Sequence, residues 1–292
     1  MLSYRKLAMR VLGRPLHTEG ISSPHPASQR AAAFILTAAM LTTLAAPAFA
    51  DIWHIEDGDI TVKASGTEGK NTVSQGNKKD VEDTNTIITN REKDASSHTV
   101  TINAGNDKVE VTLDNVNIKA DSGSALISKG DVTLTLKGDN HLTGGISDNG
   151  NYGLSGISSS GSLTISGGET DSLTAQGGSG TDGSGGRGIF SKDLTISGGT
   201  VNANGGDGKN GSGGSGITSL GSLTISGGTV NAAGGDGTNS SDGGDGITNN
   251  RGVTISSGGT VTAKGGSGED GSGGRGISSF CLLYTSPSPR DS

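Results

Sequence analysis

Several residue types are scarce in this chain, and each scarcity excludes a class of protein. Cysteine occurs once, at Cys281, so the chain has no internal disulfide framework. Aromatic residues make up 3% of the chain, too few for a flat aromatic platform on which sugars stack. Only His54, His98 and His141 follow residue 50, and none has metal-ligand spacing. The sequence therefore shows no nucleophile–base–acid set.

Glycine, in contrast, is abundant, with 53 residues, and it accompanies an internal repeat. The segment LTISGGTVNA begins at Leu194, recurs at Leu223, and returns in altered form at Leu163 and Val253. These four residues lie 31, 29 and 30 positions apart. A period of about 30 residues is typical of a solenoid, in which one supersecondary unit stacks on the next.

Each repeat contains three short strands. Leu-x-Ile and Val-x-Ala alternate apolar with small polar residues, which predicts strands, and the two glycines between them permit a sharp corner. A third apolar strand is centred on Ile189, Ile217, Ile247 and Ile277. No helical period occurs in this region. We therefore predict an all-β fold, a single-stranded parallel β-helix with an N-terminal β cap.

The repeat extends towards the N-terminus in a more divergent form. We place Val111, Leu113, Ile118 and Ala120 in the register of the Leu194 repeat, with Ile127 closing that coil. Leu134 follows Val111 by 23 residues, and Leu163 follows Leu134 by 29 residues. The coils thus contain about 23–31 residues and occupy residues 106–280. A disordered Gly/Ser linker would explain the composition but not the fixed register of apolar residues.

Residues 1–50 have the features of a signal peptide. A basic lead precedes an uncharged apolar run from Ala31 to Leu44, and Ala48-Phe49-Ala50 offers a cleavage site before Asp51. A membrane anchor is the alternative, although Pro47 and the cleavage site follow the apolar run at once. We expect export, and we assign residues 51–105 to cap and entrance strands with Trp53 as the lid residue.

The last twelve residues, 281–292, have no relation to the repeat. They resemble translated sequencing-adapter DNA and are treated as a non-native tail. We therefore expect no thiol chemistry from Cys281, and we expect the natural protein to continue for further coils.

The charge balance limits the partners. The chain has 22 Lys and Arg against 29 Asp and Glu, and residues 1–50 hold five of the basic and one of the acidic residues. The remainder has 17 basic and 28 acidic residues, a net charge of −11. Such a surface repels nucleic acid and anionic lipid. We expect a monomer with no nucleic-acid partner, no membrane-spanning segment after cleavage, and affinity for divalent cations or for neutral or cationic partners.

The glycine-rich corners carry acidic residues. The candidates for calcium ligands are Asp182, Asp207, Asp236, Asp242, Asp245 and Asp270, and Glu269 precedes the last of these. Stacked coils would place them in one acidic file, and carboxylates are oxygen ligands of the type that calcium prefers. The segment 177–182 begins like a calcium-binding nonapeptide, but the tandem array is missing. A solvated, turn-rich loop is the alternative and the favoured one.

Arg187 and Arg275 occupy equivalent corners. They could act as the base of a polysaccharide lyase or bind an acidic sugar. The simpler interpretation is that they offset neighbouring aspartates.

Two segments carry a family resemblance. Residues 109–118 (VEVTLDNVNI) and residues 131–145 (DVTLTLKGDNHLTGG) resemble the repeat of secreted bacterial carbohydrate-binding domain-containing β-helix proteins. The resemblance covers about residues 86–279 and implies a right-handed parallel β-helix related in architecture to pectate lyases. It also implies polysaccharide binding with calcium as a cofactor, and anchoring to the cell wall through a C-terminal region. It carries no catalytic residue across.

Three functions stay open at this point. We favour a secreted or cell-surface, adhesin-like protein that binds a glycan without an enzymatic activity. The alternatives are a polysaccharide lyase and a purely structural stalk or passenger segment of a larger adhesin.

Overall fold

A computed structural model describes residues 51–67, 69–239, 241–256, 258–280 and 284–285. The predicted signal peptide and Cys281 lie outside these residues. The described part is all-β, and its one helical element is a 3-10 turn at Ile55–Asp57. The chain forms a parallel β-solenoid of about six coils, as the repeat predicted.

The strands are, in chain order, β1 (Ile52–His54), β2 (Ile60–Ala64), β3 (Asn71–Gln75), β4 (Lys78–Asp83), β5 (Thr86–Thr89), β6 (Val100–Asp114), β7 (Asn117–Lys119), β8 (Leu126–Lys137), β9 (Asp139–Thr143), β10 (Ile157–Ser159), β11 (Ser162–Ser166), β12 (Ser172–Gln176), β13 (Ile189–Ser191), β14 (Asp193–Ile196), β15 (Thr200–Asn204), β16 (Ile217–Ser219), β17 (Ser222–Ile225), β18 (Gly228–Ala233), β19 (Ile247–Asn249), β20 (Gly252–Ile255), β21 (Gly259–Lys264), β22 (Ile277–Ser279) and β23 (Tyr284–Thr285).

Three strand stacks form the walls of the solenoid. The first face consists of β11, β14, β17 and β20 with the second halves of β6 and β8. The second face is the six-stranded sheet of β7, β9, β12, β15, β18 and β21. The third face consists of β10, β13, β16, β19 and β22 with the first halves of β6 and β8. Parallel strands joined by crossovers are right-handed in nearly all proteins, which is the expected sense here.

The predicted columns stack as the repeat required. Leu163, Leu194, Leu223 and Val253 are consecutive register partners and are at most 1% exposed. The further columns are Ile165–Ile196–Ile225–Ile255, Leu173–Val201–Val230–Val261, Ala175–Ala203–Ala232–Ala263 and Ile189–Ile217–Ile247–Ile277. Burial of these side chains between the faces gives each coil its share of the core.

The register of the early coils differs from the prediction. Val132, not Leu134, pairs with Leu163, and Leu134 pairs with Ile165, so the predicted alignment was wrong by two residues. Leu126, not Ile127, closes its coil beneath Ile157. Leu126 is fully buried and Ile127 is 36% exposed. A period-two strand tolerates a two-residue shift without turning a face, which is why the pattern alone did not decide it.

The N-terminal cap contains both antiparallel and parallel strand pairs. β2, β3 and β4 pair antiparallel, whereas β1 pairs in parallel with β5. Trp53 is 1% exposed and its Nε1 donates to Asp83 Oδ2 at 2.9 Å. Lys78 Nζ lies 5.0 Å from the centre of the indole ring. The expected boundary at residue 105 falls at an irregularity in the pairing of β6 with β8.

The end of the described chain follows the same register. β23 pairs in parallel with β20, with Tyr284 beside Thr254 and Thr285 beside Ile255. Two backbone positions of the predicted non-native tail therefore occupy the place of the next strand on the first face.

Candidate functional site

The glycine-rich corners, residues 177–188, 205–216, 234–246 and 265–276, form an ordered element that we call the glycine slab; residue 240 lies outside the described part. Each corner has an outgoing leg from the second face and a return leg to the third face. Gly186 N donates to Gly178 O within a corner at 2.8 Å, and Gly206 N donates to Gly186 O of the preceding corner at 2.8 Å. Gly214 N then donates to Gly206 O at 2.8 Å, and this zigzag continues to Gly266 and Gly274.

At several glycines the legs approach each other too closely for a residue with a side chain. A Cβ on Gly206 would lie 2.1 Å from Gly178 O, and a Cβ on Gly214 would lie 1.9 Å from Gly186 O. The expectation that these corners are solvated, flexible loops is therefore wrong for their legs. Hydrogen bonds between coils hold the backbone here, because there are no side chains to pack.

Stacking distributes the predicted calcium ligands over several columns. Asp207 and Asp236 share one column, in which Asp236 N donates to Asp207 Oδ1 at 2.9 Å and Ser267 N donates to Asp236 Oδ1 at 2.6 Å. Asp242 Oδ1 accepts from Ser272 N at 2.7 Å on the return legs. The predicted single acidic file is therefore wrong.

The remaining candidates lie elsewhere. Asp245 Oδ1 accepts from the backbone N–H of Arg275 at 2.7 Å. Asp182 Oδ1 accepts from Asn210 Nδ2 at 2.6 Å at the exposed tips of the corners. Asp270 is exposed, and its carboxylate has no hydrogen bond to another described residue.

No metal centre is formed by the side chains that the structure describes. No group of three or more His, Cys, Asp or Glu residues there could hold a metal ion together. The carboxylates of Asp207, Asp236 and Asp242 each use one oxygen to bind the next coil, and Oδ2 of each has no described partner. Calcium binding stays a prediction.

The first face presents a regular file of hydroxyl groups, which we call the threonine file. It consists of the outward residues Thr133, Thr164, Thr195, Thr224 and Thr254, which are consecutive register partners. All five are partly exposed, and none of their hydroxyls has a hydrogen-bond partner among the described residues. Neighbouring rungs of parallel strands lie about 4.8 Å apart, so the file is a rigid row of free donors and acceptors.

The second face uses part of its polar groups internally. Asn231 Nδ2 donates to Asn202 Oδ1 at 2.9 Å, which makes a short amide ladder between register partners. His141 occupies the same column two coils earlier and is exposed, as expected for a neighbour of a core strand.

A second cluster lies where the return legs enter the third face, and we call it the return edge. It consists of two columns of register partners. The column at the end of the return legs contains Arg187, Ser215, Asp245 and Arg275. The column three residues later, on the third face, contains Phe190, Thr218, Thr248 and Ser278. Side chains of the two columns contact each other. The Arg187 guanidinium carbon lies 5.2 Å from the centre of the Phe190 ring, and Thr248 Oγ1 donates to Asp245 Oδ2 at 3.1 Å.

The two arginines of the return edge form no direct ion pairs with described carboxylates. Arg275 Nη1 instead donates to Ser278 Oγ at 3.3 Å. The expectation that both arginines offset neighbouring aspartates therefore stays a prediction, without a direct contact between the charges. Sequence reasoning also missed Phe190 and Thr218; the signal available was their shared position one residue after the third-strand isoleucine.

Two aspartates at the other corners also bond to backbone N–H groups, Asp193 in the next coil and Asp171 in the preceding coil and in its own turn. Asp193 Oδ1 accepts from the backbone N–H of Ser222 at 2.9 Å and from its hydroxyl at 3.0 Å, and these bonds lower the pKa of Asp193. The pKa of Asp171 is lowered because Gly168 N and Gly138 N donate to its carboxylate.

A cleft of about 750 Å³ lies in the N-terminal cap. Its charged lining residues are partly paired, since Lys108 Nζ lies 2.8 Å from Glu110 Oε1 and Lys70 Nζ lies 3.5 Å from Glu82 Oε2. Exposed pairs of this kind contribute little energy, and the cleft has no group that selects a ligand.

Comparison with known proteins gave no match, either to a family model, to a curated protein or to a solved structure. Among the residues that the structure describes, no helix is long and apolar enough to cross a membrane.

Proposed function

We propose that this chain is a secreted or cell-surface, adhesin-like protein that binds a polysaccharide without cleaving it. The threonine file is the observation that supports the proposal. Five hydroxyls stand in register on one wall of the solenoid, without a hydrogen-bond partner among the described residues, and form a row of groups that donate and accept. A polysaccharide offers hydroxyls in the same repeating manner.

The rigidity of the row favours a repetitive ligand. Each hydroxyl-to-hydroxyl hydrogen bond contributes only about 0.5–1.5 kcal/mol, so a single sugar would bind weakly. A rigid row loses little conformational entropy on binding, and contacts repeated along one chain add by the logic of multivalency. The resemblance of residues 109–118 and 131–145 to carbohydrate-binding β-helix proteins agrees with this proposal.

Export and calcium belong to the same proposal. Export rests on the composition of residues 1–50, which lie outside the described part. Calcium would bridge the glycan or stiffen the corners through the free carboxylate oxygens of Asp236 and Asp242. The protein would act as a monomer and bind neither nucleic acid nor anionic lipid, because its surface is acidic.

A glycan array with and without EDTA tests the proposal. We expect binding to one or more extended polysaccharides, with EDTA reporting whether calcium takes part. Shortening of the bound polysaccharide would instead favour a lyase. Absence of binding to every glycan, by a protein that melts cooperatively, would overturn the proposal in favour of a structural stalk.

A further inference from the structure

We propose that the return edge holds a subsite for an uncharged sugar of the bound glycan, with Phe190 and Thr218 as its central contacts. The inference rests on the proposed function and adds a second contact surface to the threonine file. The two residues are adjacent members of one outward column, and Thr248 continues that column on the next coil.

Thr218 carries the strongest indication of a missing partner. The residue is 6% exposed, and its Oγ1 is buried without a hydrogen-bond partner among the described residues. A buried hydroxyl without a partner costs free energy, and few occur in a folded protein. Ser128 and Ser191 also have unpartnered hydroxyls, but both sit at inward positions, whereas Thr218 alternates to the outside between two inward residues.

The surroundings of Thr218 supply the other groups that a sugar needs. Phe190, one coil below, is half-buried and offers an aromatic surface to ring C–H groups. One coil above, Thr248 joins Ser215 Oγ at 3.1 Å and Asp245 Oδ2 at 3.1 Å in a polar network. An aromatic surface with a few placed polar groups is the usual make-up of a small-ligand site.

The Arg187 side chain gives the subsite a movable cover. It is exposed, rests on the Phe190 ring and forms no ion pair with a described residue, so little holds it in place. Arg187 can therefore move off the Phe190 ring and expose that ring to a ligand. Its guanidinium can then donate to sugar hydroxyls.

Charge favours a neutral sugar. The return edge contains two guanidiniums and the Asp245 carboxylate, and the return legs above it add Asp242. Both signs of charge therefore occur around the subsite, on a chain whose net charge is −7. A carboxylate-bearing sugar would meet repulsion from the aspartates, whereas hydroxyl groups can bond to either sign.

Calorimetric titration with sugar hexamers tests the inference. The neutral probes are hexamers of β-1,4-linked glucose and of β-1,4-linked mannose, and the charged probe is a galacturonate hexamer. We expect a neutral hexamer to bind, Phe190→Ala to weaken binding about tenfold, and Thr218→Val to weaken it about threefold to tenfold. Thr218→Val should leave the melting temperature unchanged or raise it, because it removes a buried unpaired hydroxyl. Thr262→Val on the second face is the matched control and should bind as the wild type does.

The outcomes separate the subsite from the proposed function. Equal affinity of the wild type, Phe190→Ala and Thr218→Val for a neutral hexamer would overturn the subsite and leave glycan binding intact. Tighter binding of the galacturonate hexamer would overturn the assignment of an uncharged sugar. Failure of the wild type to bind any glycan, on the hexamers or on the array, would overturn both.

Discussion

Asp207 Oδ1 accepts a hydrogen bond at 2.9 Å from the backbone N–H of Asp236, the residue that lies above it in the next coil. Asp236 repeats the contact with Ser267, at 2.6 Å. The acidic residues of the corners therefore act first as staples between successive coils. Each of the two carboxylates keeps its second oxygen without a described partner, and that oxygen is the one available to calcium.

Calcium should raise the melting temperature if the free oxygens of the corner carboxylates bind it. Asp236 and Asp242 each keep one oxygen without a described partner, and binding to the folded state alone stabilises it. Millimolar calcium should then increase the melting temperature measured by circular dichroism, and Asp236→Asn with Asp242→Asn should abolish the increase. Magnesium should do much less, because it requires a near-octahedral site. A melting temperature that calcium does not change would contradict calcium binding by these carboxylates.

Acid should destabilise the fold through Asp171 and Asp193. Their pKa values are lowered below the usual 3.8 because backbone N–H groups donate to them in the folded state. The unfolded state then binds protons first as the pH falls through 3.8, and this contribution to stability is lost as the pH drops to the folded-state pKa. The melting temperature should therefore decrease below about pH 4.

Variants isolate this effect. In the double variant Asp171→Asn with Asp193→Asn, the melting temperature should decrease less at acidic pH than it does in the wild type. Asp148→Asn should leave the decrease unchanged, because the Asp148 carboxylate has no hydrogen bond to a described residue. Identical acid profiles for the wild type and the double variant would contradict the assignment.

The core columns predict a sharp contrast between two neighbouring substitutions. Ile225 is fully buried between Ile196 and Ile255, so Ile225→Asp should destabilise the fold by several kcal/mol. Asn231 faces outward and is partly exposed, so Asn231→Asp should cost about 1 kcal/mol or less, mainly through the lost bond to Asn202. Denaturant melts measure both changes. Equal costs would show that the inward and outward assignment is wrong.

The glycine slab predicts that one added methyl group is costly only where the legs touch. Gly214→Ala would place its Cβ 1.9 Å from Gly186 O and should destabilise by about 1–3 kcal/mol. Gly273→Ala is the control, because its Cβ would lie 3.6 Å from the nearest atom, and its effect should stay within about 0.5 kcal/mol. Similar melting temperatures for the two variants would mean that the legs do not pack as described.

The sequence predicted the later coils closely because the repeats are nearly identical there. Leu194, Leu223 and Val253 leave one alignment only. In the early coils, Val132, Leu134 and Leu136 are all apolar and all buried, so the pattern fits two registers that differ by two residues. The fully buried Asn140, which occupies the Leu173 column, removes the apolar residue that would have decided between them.

The glycine slab and the return edge were harder to predict, for a physical reason. A glycine leg has no side chains and hence no apolar period, so its order follows from backbone hydrogen bonds that leave no mark in hydropathy. The available signal was the constant spacing of glycines between corners. For Thr218 the sequence showed only its position one residue after the third-strand isoleucine, because its burial depends on the surrounding side chains and not on its own strand pattern.

Glycan binding through the threonine file can be measured with variants that lack its hydroxyl groups. The affinity of the wild type for the polysaccharide found on the array is compared with that of a triple variant, Thr164→Val, Thr195→Val and Thr224→Val. Valine keeps the shape and the strand preference and removes only the hydroxyls. We expect the triple variant to have an unchanged melting temperature and at least about tenfold weaker binding. The control variant, Thr200→Val with Thr229→Val on the second face, should keep the wild-type affinity. Wild-type affinity in the folded triple variant would contradict glycan binding through the threonine file.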